Sequence, residues 1–363
     1  MTMVDRQQVI ATVLKTIAAT LLVHVILVVI LFGTVNPLGG FWGHRFPTAT
    51  PITRIRKTQL FDAWQRQAPI QGLIVGASKS MKLAPKAFSQ ATGLRFFNFS
   101  LSAGTLEDVK IVMQLAEEKH ARPREMVLGV DAQMLTRYGI ADELTQDWEF
   151  ARRLEERQPT IGWKLEHGAH LVREAMTPTF AQAVGTSIMA AINHREPLHH
   201  FYEDGYLDYL TRDRAIAAGR FPRAANIRRC TIEVVDSLRL QYPYDPHRMA
   251  LLDSILDRAR ADSIRVTLWL TPYHPDVLTA VARYPQMAAW LRSVPDSLRK
   301  VAAAHGASFV NLQTIDLFDG DPNDFYDCVH FGNANAAKVT THLLAARQLT
   351  TASTPASGAE HRP

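Results

Sequence analysis

Three observations predict an α/β domain with a three-layer, doubly wound parallel sheet. Short apolar runs rich in β-branched residues recur at 73–75, 126–130 and 265–270, without the alternation of a half-exposed strand. Each run stops on a turn residue, and segments of helical period fill the gaps between most of them. The rhythm breaks once, from 138 to 245, where no strand pattern is evident, and then resumes; the break reads as a helical insertion over or beside the sheet.

Ahead of the domain, residues 16–33 are apolar apart from Thr16, Thr20 and His24. Extended back to Ile10, the run can cross about 30 Å of hydrocarbon at about 1.5 Å per residue. A cleaved signal segment ordinarily has an apolar region of about 7–15 residues and a small-x-small site, and Gly33-Thr34-Val35-Asn36-Pro37 offers no such site. Residues 10–33 are therefore read as an uncleaved transmembrane anchor behind a short cytoplasmic tail, 1–9. Arg6 and Lys15 lie closer to the span than Arg45, Arg54, Arg56 and Lys57 do, which points the N-terminus inward and exports the domain beyond the span. Residues 34–53, rich in Gly, Pro and Thr, read as a tether with Phe41 and Trp42 at the interface.

The domain itself is expected over 54–349. An amphipathic helix over 54–67 leads into a strand at Gly72, which Gly76 stops abruptly. Ser78 follows on a tight turn, and 82–90 reads as a short helix with Pro85 in its first turn. Residues 95–99 are a second strand. Thr105 caps the next helix, with Glu107 and Asp108 in its first turn and an apolar face of Val109, Val112, Met113 and Ala116. A third strand over 126–130 runs into Asp131. Beyond the insertion come a helix over 246–262, strands over 265–270 and 308–311 flanking a helix over 285–305, and a closing helix over 333–347. Within the insertion, 178–192 is apolar but too short and polar for a second span, and reads as a packing helix or a lid. Residues 350–363, rich in Ser, Thr, Pro and Ala, read as a disordered tail.

Charge excludes one class of function. The formal balance is +5, with basic and acidic residues interspersed, so no stripe marks a nucleic-acid partner. The two cysteines, Cys230 and Cys328, lack zinc-ligand spacing. They are read as buried free thiols, with a disulfide as the alternative outside the cytosol.

In a parallel sheet, ligands bind beyond the carboxyl ends of the strands. Ser78, Gly104, Asp131 and His274 each follow a strand, and His330 lies after a loop that can reach the same edge. Asp327 stands three residues before His330, so its carboxylate can hold the imidazole tautomer and leave Nε2 as a base. Ser78 needs such a base, because a serine hydroxyl is a poor nucleophile at its free pKa. Lys79 reads as a solvated side chain, Ser80 as a helix cap and the alternative nucleophile, and His274 as a substrate contact or a structural residue.

Gly76-Ala77-Ser78, then the stretch 97–104 (Phe-Asn-Phe-Ser-Leu-Ser-Ala-Gly), and finally Asp327-Cys328-Val329-His330 resemble the ordered blocks of the SGNH (GDSL-like) hydrolase superfamily, over roughly 72–347. The resemblance implies a flavodoxin-like sheet, Ser78 as nucleophile, His330 as general base, Asp327 as its orienter, and an oxyanion hole from the Ser78 and Gly104 N–H groups. It departs in two places. Ala77 stands where the family usually has Asp, and Asp131 where the family supplies an oxyanion-hole Asn. An ionised carboxylate only accepts hydrogen bonds, so either Asp131 is turned away, or another donor, Gln133 or Asn98, replaces it, or the activity is weak.

A single N-terminal anchor resembles the members that transfer or remove acyl groups on envelope polymers. That implies an inner-membrane protein with its domain in the periplasm, and a carbohydrate or acyl ester as substrate. A multi-span acyltransferase is the partner such members would use, and the chemistry requires no metal or organic cofactor. Two other readings stand beside this one: an inactive domain serving as a scaffold, and a cytosol-facing enzyme of lipid-derived substrates.

Overall fold

A computed structural model describes residues 3–35, 46, 53–136, 148–154, 160–175, 177–193 and 200–352. In chain order, helices α1 (Met3–Val35) and α2 (Thr53–Gln67) precede strand β1 (Gly72–Val75). Helix α3 (Pro85–Thr92), β2 (Phe96–Asn98), α4 (Leu106–Glu118) and β3 (Glu125–Val130) complete the first half of the sheet. The insertion contributes α5 (Trp148–Leu154), α6 (Ile161–Ala175), α7 (Pro178–Ile192), β4 (His200–Phe201), β5 (Leu207–Asp208), α8 (Leu210–Ala217) and α9 (Arg223–Gln241). Then come α10 (Pro246–Ala261), β6 (Arg265–Leu270), α11 (Pro275–Val281), α12 (Pro285–Ala304), β7 (Ser308–Asn311) and α13 (Asn333–Ala352).

The chain divides into two compact units, one of residues 1–56 with 158–198 and one of 57–157 with 199–363. The first holds α1, α6 and α7. Within α1, Gln8–Leu27 is long and apolar enough to cross a membrane, at mean hydropathy 2.1. At the end of α1, Val35 packs with Val184 and Ile188 of α7 and with Phe46.

The second unit is organised by a five-stranded parallel sheet in the order β2-β1-β3-β6-β7. Period-two alternation assigns its side chains to two faces. Leu73, Val75, Met126, Leu128, Val130, Val266, Leu268 and Leu270 point into the larger core, under α2, α4, α10 and α12. Ile74, Val127 and Trp269 point into the smaller one, under α3 and α13. Burial on both faces explains why these strands read as unbroken apolar runs. The sequence reading of three layers holds in this unit.

Several boundaries differ from expectation. The helix expected over 82–90 is split: residues Ser78–Lys82 form a 3-10 turn, and α3 starts afresh with Pro85 at its first position. Proline fixes φ and removes a donor, so it favours a helix start over a helix interior. The insertion is not wholly helical, since β4 and β5 form an antiparallel hairpin around Gly205, whose φ of 80° suits glycine. Strands of two residues carry too little pattern to be seen in sequence. Helix α13 continues to Ala352. Phe41, Trp42, most of the expected tether and residues 353–363 lie outside the described residues.

Cys230 and Cys328 are joined by a disulfide across 98 positions, which corrects the reading of two free thiols. Their Cα atoms lie 5.5 Å apart, within the range a bridge requires. The approach comes from tertiary packing of α9 against the loop before α13, which no local sequence pattern announces.

Candidate active site

Two segments converge at the carboxyl edge of the sheet. The first leaves β1 through Gly76, whose φ of 147° is open to glycine and not to side-chain-bearing residues. A Cβ there would lie 2.6 Å from the Gly129 carbonyl oxygen and 2.7 Å from Ser80 Oγ. Gly104 presses on the same turn from the β2 side, where a Cβ would stand 2.7 Å from the Gly76 oxygen. Hydrogen bonds from Phe99 N–H to Ile74 O (2.8 Å) and from Leu101 N–H to Gly76 O (2.9 Å) bind the two loops together. Ser78 heads the resulting 3-10 turn, partly exposed, and its N–H has no acceptor among the described residues.

The second segment is a looped hairpin after β7. Phe325 and Phe331 bridge across it, the Tyr326 N–H donates to His330 O (2.8 Å) and the Gly332 N–H to Asp324 O (2.7 Å). Buried Asn335 closes the base: Nδ2 donates to the Asp321 (2.8 Å) and Asp324 (3.1 Å) carbonyls, and Oδ1 accepts from the Asp321 N–H (2.8 Å). At the tip, Cys328 is bonded to Cys230 of α9. None of these supports except Cys328 stood out in the sequence. The Asn and Asp spacing around 321–335 was the available signal.

Across the edge, Ser78 Oγ lies 2.8 Å from His330 Nε2, and His330 Nδ1 lies 2.8 Å from Asp327 Oδ2. Asp327 Oδ1 accepts from the Val329 (2.9 Å) and His330 (2.8 Å) N–H groups, so its carboxylate orientation is fixed. Burial pushes the Asp327 carboxyl up. The adjacent imidazole and the two N–H groups outweigh that and hold it well below the usual carboxylate range. A hydroxyl, an imidazole and an ionised carboxylate in that order can move a proton off the hydroxyl when it attacks a carbonyl carbon.

The remaining residues singled out in the sequence occupy different places. Asp131 follows β3 and pairs with Lys79 Nζ at 3.3 Å, while also accepting a hydrogen bond from the Thr271 hydroxyl. Lys79 is buried, not solvated: its Nζ donates to Thr271 Oγ1 at 3.1 Å and lies 3.9 Å from the centre of the Tyr273 ring. Burial pushes the Lys79 ammonium down, against the pull of Asp131 and, farther off, Asp327. The Asp131 carboxylate is thus held by a cation beneath the Ser78 turn.

Asn98 has its amide committed inside the fold. Nδ2 donates to the Ser80 and Leu83 carbonyls at 2.8 Å each, and Oδ1 accepts from the Ser100 N–H. It braces the turn from behind and has no donor left for a substrate. Ser80 is fully buried, with its hydroxyl packed on Gly129, which corrects its reading as a second nucleophile. His274 caps α11 by accepting from the Asp276 N–H (3.2 Å), its ring packs edge-on to Phe325, and its own N–H donates to Cys328 O (2.9 Å). Its ring also bonds the Pro322 main chain, so these contacts tie it to the loop. The Gly104 N–H donates to Leu101 O at 3.3 Å, a length that leaves the bond weak. Gln133 lies in a 3-10 turn after β3, and no side-chain bond brings it to Ser78.

The hairpin of β4 and β5 flanks the same edge. Lys82, at the end of the nucleophile turn, pairs with Asp208 at 2.6 Å among the rings of Tyr206, Tyr209 and Tyr326. Tyr326 Oη donates to Asp213 at 2.5 Å. The hairpin therefore touches the Ser78 turn through Asp208, and α8, which follows it, touches the Asp327–His330 loop through Asp213.

No protein-family model matches the chain, and no curated protein matches it. Among solved structures it is similar to an alpha/beta hydrolase enzyme from the metagenome of Lake Arreo, Spain, at TM-score 0.34 and 13% identity, over 78% of this chain and 97% of that one. A superposition that loose carries no argument about activity.

Proposed function

We propose that the chain is a membrane-anchored serine esterase or O-acyltransferase of SGNH type, which acts on a cell-envelope carbohydrate through an acyl-enzyme on Ser78. The observation that carries this reading is the unbroken hydrogen-bonded line from Ser78 Oγ through His330 to Asp327, drawn from segments 252 positions apart. In the first half-reaction Ser78 Oγ attacks the ester carbonyl and its proton passes to His330 Nε2. Asp327 stabilises the imidazolium through Nδ1–H. Collapse of the tetrahedral intermediate expels the alkoxide, which takes the proton from Nε2, and leaves acyl-Ser78. In the second half-reaction His330 deprotonates water or a sugar hydroxyl, which attacks the acyl carbon and releases Ser78. Hydrolysis and transfer differ only in that acceptor.

The free Ser78 N–H is the donor best placed for the oxyanion, and one preorganised donor is worth about 3–4 kcal/mol of barrier. Two features support the compartment. The apolar stretch within α1 suits an anchor, and the Cys230–Cys328 bond suits an oxidising space such as the periplasm. A multi-span acyltransferase would supply the acyl group to a transferase of this kind.

One observation favours a second reading, an inactive scaffold of an envelope-polysaccharide machine. Asp131 occupies the position of the family's oxyanion-hole Asn, and Asn98 has no free donor to replace it. A fluorophosphonate probe separates the two. The enzyme reading expects labelling of the folded protein that Ser78→Ala removes; folded protein that resists the probe at active-site saturation would overturn it.

A further inference from the structure

Helix α7 has fifteen residues and not one charge among them. Its sides are sharply divided. Val184, Ser187, Ile188 and Ala191 are turned inward, with Val184 and Ile188 packed on Val35 at the end of α1. Met189, on the far side, and Ile192, at the helix end, are 55% and 65% exposed. Helix α6 also exposes large apolar side chains, Ile161 and Leu165, one turn apart and 79% and 70% exposed, beside the exposed Glu166 and Arg173. A water-facing helix carries charge on its outer face; α7 carries none, and its neighbour α6 mixes charge with large exposed apolar side chains, as a helix lying in an interface does. Single exposed apolar residues need no explanation, whereas stripes on adjoining helices do.

The position of Val35 identifies what covers these stripes. From Thr16 to Gly33 the apolar run is about 27 Å long as a helix, close to the hydrocarbon thickness of about 30 Å. Val35, two residues farther on, then falls at the headgroup level, and α7 is packed against it there. We propose that α6 and α7 form a second membrane contact. They lie in the interface beside the exit of α1, with Ile161, Leu165, Met189 and Ile192 directed into the acyl chains at the shallow depth typical of interfacial helices. The proposal rests on reading α1 as an anchor. The contact would hold the first unit against the bilayer surface, where a single span alone leaves it free to swivel.

The full chain in nanodiscs of phosphatidylethanolamine and phosphatidylglycerol provides the test. Leu165→Cys and Met189→Cys are labelled with an environment-sensitive dye, alongside Leu21→Cys in the span and Arg229→Cys on the exposed side of α9. The Cys230–Cys328 bond leaves the introduced thiol as the one free to react, and each variant is first matched to the unmodified protein in thermal unfolding. The expected result is blue-shifted emission at 165 and 189, with loss of emission when lipids brominated near the headgroup end of the chain are used. Leu21→Cys should respond best to bromine placed deep. Emission at 165 and 189 like that of Arg229→Cys, quenched by aqueous iodide, overturns the proposal while Leu21→Cys still reports the span. Dry but bromine-insensitive labels at 165 and 189 overturn it in favour of a protein partner or a second copy. An unquenched Leu21→Cys label overturns the anchor and the proposal together.

Discussion

The Ser78 turn and the loop carrying Asp327 and His330 meet at one sheet edge, yet they are held there by different means. The turn is shaped by main chain: Gly76 and Gly104 let backbone approach backbone where a Cβ would stand 2.6–2.7 Å from a carbonyl oxygen. The loop is held by several separate ties: the Asn335 side chain, the main-chain bridge between Phe325 and Phe331, the His274 main-chain N–H on Cys328 O, and the disulfide. A backbone-shaped turn fails as a whole when one atom is added. A loop with several separate ties loses them one at a time, so its function should fall in steps.

The largest effect tests the chemistry at the loop tip without disturbing its ties. Asp327→Asn keeps the shape but changes the tautomer that His330 can hold, and kcat on a chromogenic ester should fall about 10⁴-fold. The same variant carries a pH signature. Because the Asp327 carboxyl is held low in the folded state, its stabilising contribution is fully present above the unfolded value near pH 4 and is lost as pH falls towards the folded one. Asp327→Asn should therefore flatten the acid limb of a denaturation series; an unchanged limb would mean that the carboxylate is not held by the imidazole.

Next in size is the covalent tie. Opening the Cys230–Cys328 bond releases a closure of 98 positions, so Cys230→Ser should lose about 4 kcal/mol in urea unfolding while part of the fluorophosphonate labelling survives. Gly76→Ala should lose about 3 kcal/mol, from a positive φ and a collision with the Gly129 oxygen, and should abolish labelling altogether. Equal residual labelling in the two variants would erase the distinction between turn and loop.

The same distinction governs what could be read from sequence. Strands buried on both faces, a glycine at an abrupt strand end, and a Thr105 cap with Asp108 three residues on are local signals, and the structure has all of them, including the reciprocal Thr105–Asp108 bonds. Ser78, Asp327 and His330 were legible because hydroxyl, carboxylate and imidazole types at loop positions suggest one chemistry. What escaped was settled by distant packing. Lys79 looks like a surface cation until the sheet places Asp131 and Thr271 beside it. Asn98 looks like a substrate donor until the turn presents two carbonyls to its amide. The disulfide and the short β4–β5 hairpin depend on the path of an insertion whose sequence has no period to follow.

That hairpin, with α8 following it, is the region that turn and loop both touch, and it supplies the smallest and most specific prediction. Lys57 is buried, and its Nζ donates to Asn98 O at 2.7 Å and to Gly205 O at 2.5 Å, fastening the hairpin to the end of β2. Burial lowers its pKa from 10.5 to about 7, although Asp204 pulls the other way. A neutral amine still donates both bonds, so the clamp survives deprotonation. Between pH 7 and 10.5 the unfolded chain binds a proton that the folded chain lacks, so stability rises with pH across that window, by at most about 1.4 kcal/mol per unit. Below it the expense of a buried charge is felt in full. Lys57→Met should remove this slope and lower stability most at the alkaline end, where the native clamp is neutral. If the slope persists in Lys57→Met, the titrating group lies elsewhere. If Lys57→Met also changes labelling of Ser78, the hairpin braces the nucleophile turn through Lys82 and Asp208, and turn and loop are less independent than their construction suggests.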